Sequence, residues 1–306
     1  MTDTTIDSTL SPEPTGDGSQ TFYSTTFGEW FHSRGGAYEE ARGTYVEATD
    51  LVARAQRHSA IAFGRPKAIG ILDLCYGLGY NTAAALEALW AIDPSLPIRI
   101  VGLELDGQVP QAAIAQGLVS GWPLAVQTIL EQLATVGQSS VHSPGLQADL
   151  HLGDARQTIQ TLVQSGFQAD VIFLDPFSPP RCPQLWTAEF LTLVARCLAP
   201  GGCLATYSCA AAVRSALQLA GLHIGPSAAV GRRWPGTLAN WGDTPLPALS
   251  QQEVEHLQTR AAVPYRDPTL TDSAVIIQQR RQQEQATSPL QPTGAWRKRW
   301  LSGRKG

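Results

Sequence analysis

The chain has 306 residues, of which 43% are hydrophobic and 16% charged, with a formal net charge of −4. That is enough apolar material for a full core, and no run of 18 or more apolar residues offers a membrane span. The five cysteines form neither a CxxC pair nor a Cys/His grid with zinc spacing. They read as reduced core thiols of a cytoplasmic protein, and no metal is expected.

The start, MTDTTIDSTLSPEPTGDGSQ, is acidic and lacks an apolar h-region, so residues 1–20 are expected to be a disordered tail rather than a secretory signal. Residues 21–65 mix aromatic and charged side chains before a break at FGRPK, and read as an N-terminal elaboration. From Ala68 the pattern becomes regular. AIGILDL is a short apolar run of the kind buried on both faces. It enters the turn CYGLGYN and then TAAALEALWAI, a strong helix former with Pro94 beyond its end. PIRIVGLEL is the next strand, followed by a helix-compatible stretch from Gln108, and residues 117–149 are less regular. HLGDARQTIQTLVQ reads as strand end, turn and helix, and ADVIFLD as a further buried strand. WTAEFLTLVARCLAPGG is an amphipathic helix stopped at glycine, GCLATYS a strand, and AAAVRSALQLAGL a helix. Strands alternating with helices predict a doubly wound, mostly parallel α/β sheet over residues 66–245, because each crossover returns the chain to the same edge.

Residues 246–306 form a C-terminal extension with a basic end. From Gly231 to Gly306 there are 11 Lys and Arg against 6 Asp and Glu; the other 230 residues hold 11 against 20. Such asymmetry permits a phosphate-binding face on an acidic protein, and a merely solvated tail has the same composition.

Ligands of such sheets bind outside the carboxyl ends of the strands, and four successive strand ends carry informative residues. In Asp73-Leu-Cys-Tyr-Gly77-Leu-Gly79-Tyr-Asn81 the glycines let the backbone approach a ligand. Thr82 stands where a dinucleotide fingerprint needs its third glycine, which favours S-adenosyl-L-methionine over NAD. Glu104 falls where a carboxylate accepts from ribose hydroxyls, and serves equally as a carboxylate at a helix start. Asp154, with Ala155 giving a backbone contact, is placed to read an adenine amino group, or to act as an ordinary N-cap. Asp175-Pro176-Phe177 ends a run too apolar for a surface strand, and serves equally as a proline-rich turn that closes it. A carboxylate beside a backbone carbonyl suits an amine, and Phe177 suits stacking on an extruded base. The order of these four ends is that of a class I methyltransferase. Trp186 reads as helix packing.

DVIFLDPFSPPRCPQLWTAEFLTLVARCLAPGGCLATYSCAAAVRSALQLAGL closely resembles the bacterial MnmC-type tRNA methyltransferases, as does the loop Gly231-Arg232-Arg233-Trp234-Pro235-Gly236. CYGLGYNT is similar to that family's glycine turn, with Gly77, Gly79 and Asn81 matching and Cys75 replacing its first glycine. Phe22 to Glu29, His32-Ser33 and Gly36 to Ala41 resemble its substrate-side N-terminal region. The resemblance implies N-methylation of the 5-aminomethyl group of 2-thiouridine at the tRNA wobble position. It implies a stand-alone methyltransferase, with no flavin because nothing after residue 245 could hold an oxidoreductase domain. Gly77, Gly79, Asn81, Glu104, Asp154 and Ala155 would then hold the cofactor, and Asp175 and Phe177 would act on the substrate. His32, Arg232 and Arg233 would contact the tRNA. Whether Asp175 or bulk water takes the amine's proton stays open, as does the oligomeric state. Neither a membrane nor DNA is expected as a partner. A class I methyltransferase or aminopropyltransferase with another acceptor, and a catalytically silent RNA-binding module, fit the same residues.

Overall fold

Apolar runs too short for helices make the middle of the sheet. The computed structural model describes residues 10–61, 67–135 and 140–301. After two small hairpins, β1 (Glu13–Pro14) with β2 (Gln20–Thr21) and β3 (Tyr23–Ser24) with β4 (Glu29–Trp30), the chain forms α1 (Ala37–Glu40). A π-helical turn (Ala41–Glu47) and α2 (Leu51–Ile61) follow. Then come β5 (Ile69–Leu74), α3 (Tyr80–Trp90), β6 (Ile98–Glu104), α4 (Gln108–Ala115), α5 (Leu124–Ala134), β7 (Ser140–Ser143) and β8 (Leu146–Leu152). The second half holds α6 (Ala155–Gln164), β9 (Ala169–Leu174), α7 (Ala188–Arg196), β10 (Leu198–Thr206), α8 (Ala211–Leu219), β11 (His223–Pro226) and β12 (Thr237–Asn240). Helices α9 (Gln251–Leu257), α10 (Ala274–Thr287) and α11 (Thr293–Leu301) close the described chain.

Eight strands form one sheet in the order β11-β12-β10-β9-β5-β6-β8-β7. Its five central strands, β10 to β8, are parallel, and the outer pairings are antiparallel. This is the doubly wound fold expected. Side chains of β5 and β9 alternate between two cores: Ile71, Val171 and Phe173 face one, and Leu72, Leu74, Ile172 and Leu174 the other. Fully burying each such side chain contributes roughly 1.5–3 kcal/mol. From β5 the chain passes to β6 on one side, and β9 lies on the other, so the topological switch lies between β5 and β9. Their carboxyl ends release Cys75–Gly77 and Asp175–Phe177 side by side, tied by the Asp175 amide donating to the Leu74 carbonyl at 3.0 Å.

The described residues show how both ends of the chain meet the sheet. Residues 1–9 lie outside the described residues, but the supposed tail is folded from Leu10. The Asp17 carboxylate accepts from the Thr15 and Ser19 hydroxyls and from the amides of Ser19 and Glu39, fixing the β1–β2 turn against the start of α1. Partial burial pushes its pKa up, yet the bonds from Ser19, Glu39 and Thr15 bring it down to about 2. Polar residues that read as disorder are here turn and cap formers. At the other end, residues 246–301 pack on the sheet's helical layer. The Ala188 amide donates to the Tyr265 carbonyl at 3.0 Å, Arg214 pairs with Glu253 at 2.8 Å, and Ile277 is fully buried. Residues 302–306 and the FGRPK break, apart from Lys67, lie outside the described residues. No helix is long and apolar enough to cross a membrane among those described.

Candidate active site

A cavity of about 600 Å³ opens at the sheet's carboxyl edge over the switch between β5 and β9. Its floor is made by the strand ends: Cys75, Tyr76 and Gly77 after β5, Leu103, Glu104 and Leu105 from β6, Asp175 to Ser178 after β9, and Tyr207 after β10. Asp154, Ala155 and Arg156 at the start of α6 form one wall, with Cys182, Gln184 and Leu185 from the segment leading into α7. The β3–β4 hairpin and residues 31–34 form the opposite wall, and Arg232 reaches in from the loop before β12.

Gly77, at φ 54°, lets its amide reach the Glu104 carboxylate at 2.7 Å; the other Glu104 oxygen accepts from the Asp106 amide at 3.0 Å. Burial raises the Glu104 pKa against those bonds. A Cβ on Gly77 would stand 3.4 Å from the Phe31 ring, so the bare backbone keeps the floor open. Gly79 does not line the cavity. It caps α3 at φ 83°, and a Cβ there would meet the Tyr76 hydroxyl at 2.6 Å, so its role is to turn the chain. Asn81, expected on the cofactor, lies behind the floor, where its amide nitrogen donates to Asp175 at 3.0 Å. Asp154 lines the wall as the N-cap of α6, with both oxygens engaged by Arg156 at 2.7–3.1 Å. Ala155 opens that helix at the cavity.

Asp175 stands on the floor at the end of β9. Burial first, then the nearby Glu40 charge, push its pKa up to about 8, while the Tyr45 hydroxyl, Asn81 and Arg232 act the other way. The neighbouring Pro176 carbonyl accepts from the Tyr207 hydroxyl at 2.8 Å. Phe177 lines the cavity with one ring face stacked on Phe27 at 4.4 Å and Phe31 edge-on at 5.0 Å, so a stacked base has only the other face. Trp186, fully buried in a 3₁₀ turn (Pro183–Trp186), holds the Phe177 carbonyl with its indole N–H at 2.8 Å.

The residues expected on tRNA divide. His32 is buried and stacked on Tyr80 at 4.9 Å; burial lowers its pKa to about 4, so it carries no charge for a phosphate. Arg232, itself partly exposed, stands 2.7 Å from the buried Glu40 and 4.3 Å over the Tyr207 ring, so its charge is already answered by a carboxylate. Arg233 is exposed beside Trp234. Sequence reasoning had Glu40 only as part of a substrate-side resemblance and missed Tyr45, both of which face Asp175, and it missed Tyr207, although Tyr207 follows a fifth parallel strand and that position was the signal.

A family described as S-adenosyl-L-methionine-dependent methyltransferase matches residues 113–241. The crystal structure of MnmC2 from Aquifex aeolicus superposes with a TM-score of 0.77 at 30% identity, over 91% of this chain and 86% of that one. The tRNA 5-methylaminomethyl-2-thiouridine biosynthesis bifunctional protein MnmC of Methylibium petroleiphilum is 30% identical over 228 residues, 70% of this chain and 32% of that protein. An uncharacterized protein of Methanocaldococcus jannaschii is 28% identical over 92% of this chain and 75% of its own length. The chain thus spans about a third of the length of the bifunctional relatives it matches. With the cavity at the switch of a doubly wound sheet, and with the Aquifex protein similar across nearly the whole chain, this protein belongs to the MnmC-type family of S-adenosyl-L-methionine-dependent methyltransferases.

Proposed function

We propose that the chain methylates a primary amine, that of 5-aminomethyl-2-thiouridine at the tRNA wobble position. The cavity residues suit the methyl donor. The Glu104 carboxylate keeps acceptor capacity beyond its backbone N–H bonds for a ribose hydroxyl; Leu105 and Leu185 offer apolar surface to a purine, and the Ala155 backbone stands at a helix start where N–H groups point outward. Gly77 leaves room for the methionine part. When bound, the donor supplies an electrophilic methyl group on a sulfonium, and no acid is needed for its leaving group.

What remains for the protein is to present an unprotonated amine in line. The Asp175 carboxylate and the second lone pair of the Pro176 carbonyl both accept N–H bonds, which aims the nitrogen lone pair away from them. An ammonium arriving at the cavity gives its proton to ionised Asp175. A carboxyl whose pKa burial has brought up to about 8 exchanges protons with an alkylammonium near neutral pH far more readily than an ordinary carboxylate does. Phe177 offers the face away from Phe27 to the uridine, and residues 21–61 and 246–301 pack with the sheet. The observation that carries this reading is the Asp175 carboxyl at the cavity floor on the switch point, beside the Pro176 carbonyl.

Nucleoside mass spectrometry of tRNA from a strain lacking the gene tests it. Aminomethyl-uridine accumulates without its N-methyl product, and the wild-type gene restores methylation. Asp175→Ala does not, although it retains affinity for S-adenosylhomocysteine. Unchanged nucleosides in the deletion strain, or normal turnover by Asp175→Ala, refute the assignment; turnover that is insensitive to salt and independent of tRNA points to a small amine acceptor.

A further inference from the structure

The N-terminal region has a part in the chemistry beyond covering the cavity. Tyr45 is fully buried, its ring 5.6 Å from Phe173, and its hydroxyl has no partner of hydrogen-bond geometry among the described residues although it faces the Asp175 carboxyl. A buried orphan hydroxyl is rare enough in native structures to need a reason. Phenylalanine would fill nearly the same space without the unmet donor.

The backbone supplies a second observation. Glu40 and Tyr45 are five residues apart, a spacing that an α-helix would splay by about 140°. The π-helical turn at Ala41–Glu47 has wider i→i+5 geometry and brings both to the Asp175 side. Glu40 is answered by Arg232 at 2.7 Å and accepts from the Ser33 amide at 2.7 Å. No such partner answers Tyr45. An ionised carboxylate has about four acceptor sites, and the Asn81 amide fills one.

We propose that Tyr45 is a positioning residue for the amine-holding carboxyl, its hydroxyl donating to Asp175 whenever that group is ionised, and that the π-helical turn is what delivers it. The inference rests on the assignment of Asp175 as the group that meets the amine. The other groups facing Asp175 are Glu40 from α1, Asn81 from α3, Tyr207 after β10, Arg232 from the loop before β12 and the Cys75 thiol after β5. Tyr45→Phe leaves all of them in place.

A donor to the charged form lowers a carboxyl's pKa, so removing it raises that pKa. In Tyr45→Phe, kcat for aminomethyl-tRNA falls roughly ten- to hundred-fold, the usual weight of a hydrogen bond to a charge. KM and S-adenosylhomocysteine affinity change little, Tm does not drop, and the acid limb of the pH profile moves up by about one to two units. An unmoved acid limb with wild-type kcat overturns the proposal.

A second measurement needs no substrate. Asp175 has a folded pKa of about 8 against an ordinary 3.8. The stability it confers is therefore full below the ordinary value and is lost as pH rises through the folded one. The Tm advantage of Asp175→Asn over wild type thus grows with pH and levels off above about 8. In the Tyr45→Phe background it levels off about one to two units higher. If no aminomethyl-tRNA is methylated, the functional reading fails and this arm still decides Tyr45; coincident curves refute it.

Discussion

Cys75 has a left-handed backbone, φ 70°, at the lip of the cavity. The Cβ of an L-residue costs roughly 1–2 kcal/mol in that region, and a glycine recovers this less the chain entropy it adds to the unfolded state. Cys75→Gly is therefore expected to stabilise the protein by about 0.5–1 kcal/mol and to raise Tm by about 1–3 °C. A thermal melt checks it, and a lower Tm would mean that the thiol's contacts outweigh the strain. Other residues show where sequence reading stops. The residue types at the strand ends were legible, because an acid or glycine that closes an apolar run has few places to go. Their partners were not. Asn81 and Asp175 are 94 residues apart, and Glu40 and Arg232 are 192 apart, so those pairings exist only once the sheet is built. Asp154 was legible as an acid at a helix start, but nothing in LHLGDAR says that Arg156 folds back over both of its oxygens.

At the scale of elements, the parallel strands were readable because each is a continuous apolar run bounded by turn residues. The N-terminal region was not, since β1 to β4 are two residues each and have no period, and a π-helical turn breaks the helical one. What holds that region is the Asp17 turn. Its carboxylate binds the Ser19 and Glu39 amides, and the Ser19 hydroxyl accepts from the Ala37 amide at 3.1 Å, so one acid anchors both the β1–β2 turn and the first turn of α1. Asp17→Ala is expected to cost about 1–2 kcal/mol, the weight of a helix cap. It lowers Tm while leaving S-adenosylhomocysteine affinity nearly unchanged, because the residues proposed to hold the cofactor lie on the strand ends. Calorimetry of both quantities checks the split. Because α1 runs directly into the turn that carries Tyr45, methyl transfer should fall more than cofactor affinity does.

For the molecule as a whole, the proposed function asks how a chain of net charge −4 would meet a polyanion. Two arginines that line the cavity are already answered, Arg156 by Asp154 and Asp267 and Arg232 by Glu40. Two exposed arginines at the mouth have no carboxylate partner among the described residues. Arg34 lies 5.4 Å over Trp30 and lines the cavity, and Arg233 lies 5.2 Å over Trp234. Their loops touch, the Ser33 hydroxyl donating to the Gly231 carbonyl at 3.3 Å. Cations at a mouth hold phosphate and position the RNA without reading its sequence, and each single-strand phosphate contact adds about 0.7 to the slope of log affinity against log salt. Arg34→Gln and Arg233→Gln should each lower that slope for tRNA by about 0.7, and the double variant by about 1.4, as read by filter binding across a salt series. Arg232→Gln should cost turnover instead, since it strands Glu40 beside Asp175, and should leave the slope alone. If Arg232→Gln flattens the slope while the outer pair does not, the phosphates run through the cavity rather than across its rim, and the direction in which the RNA enters must be redrawn.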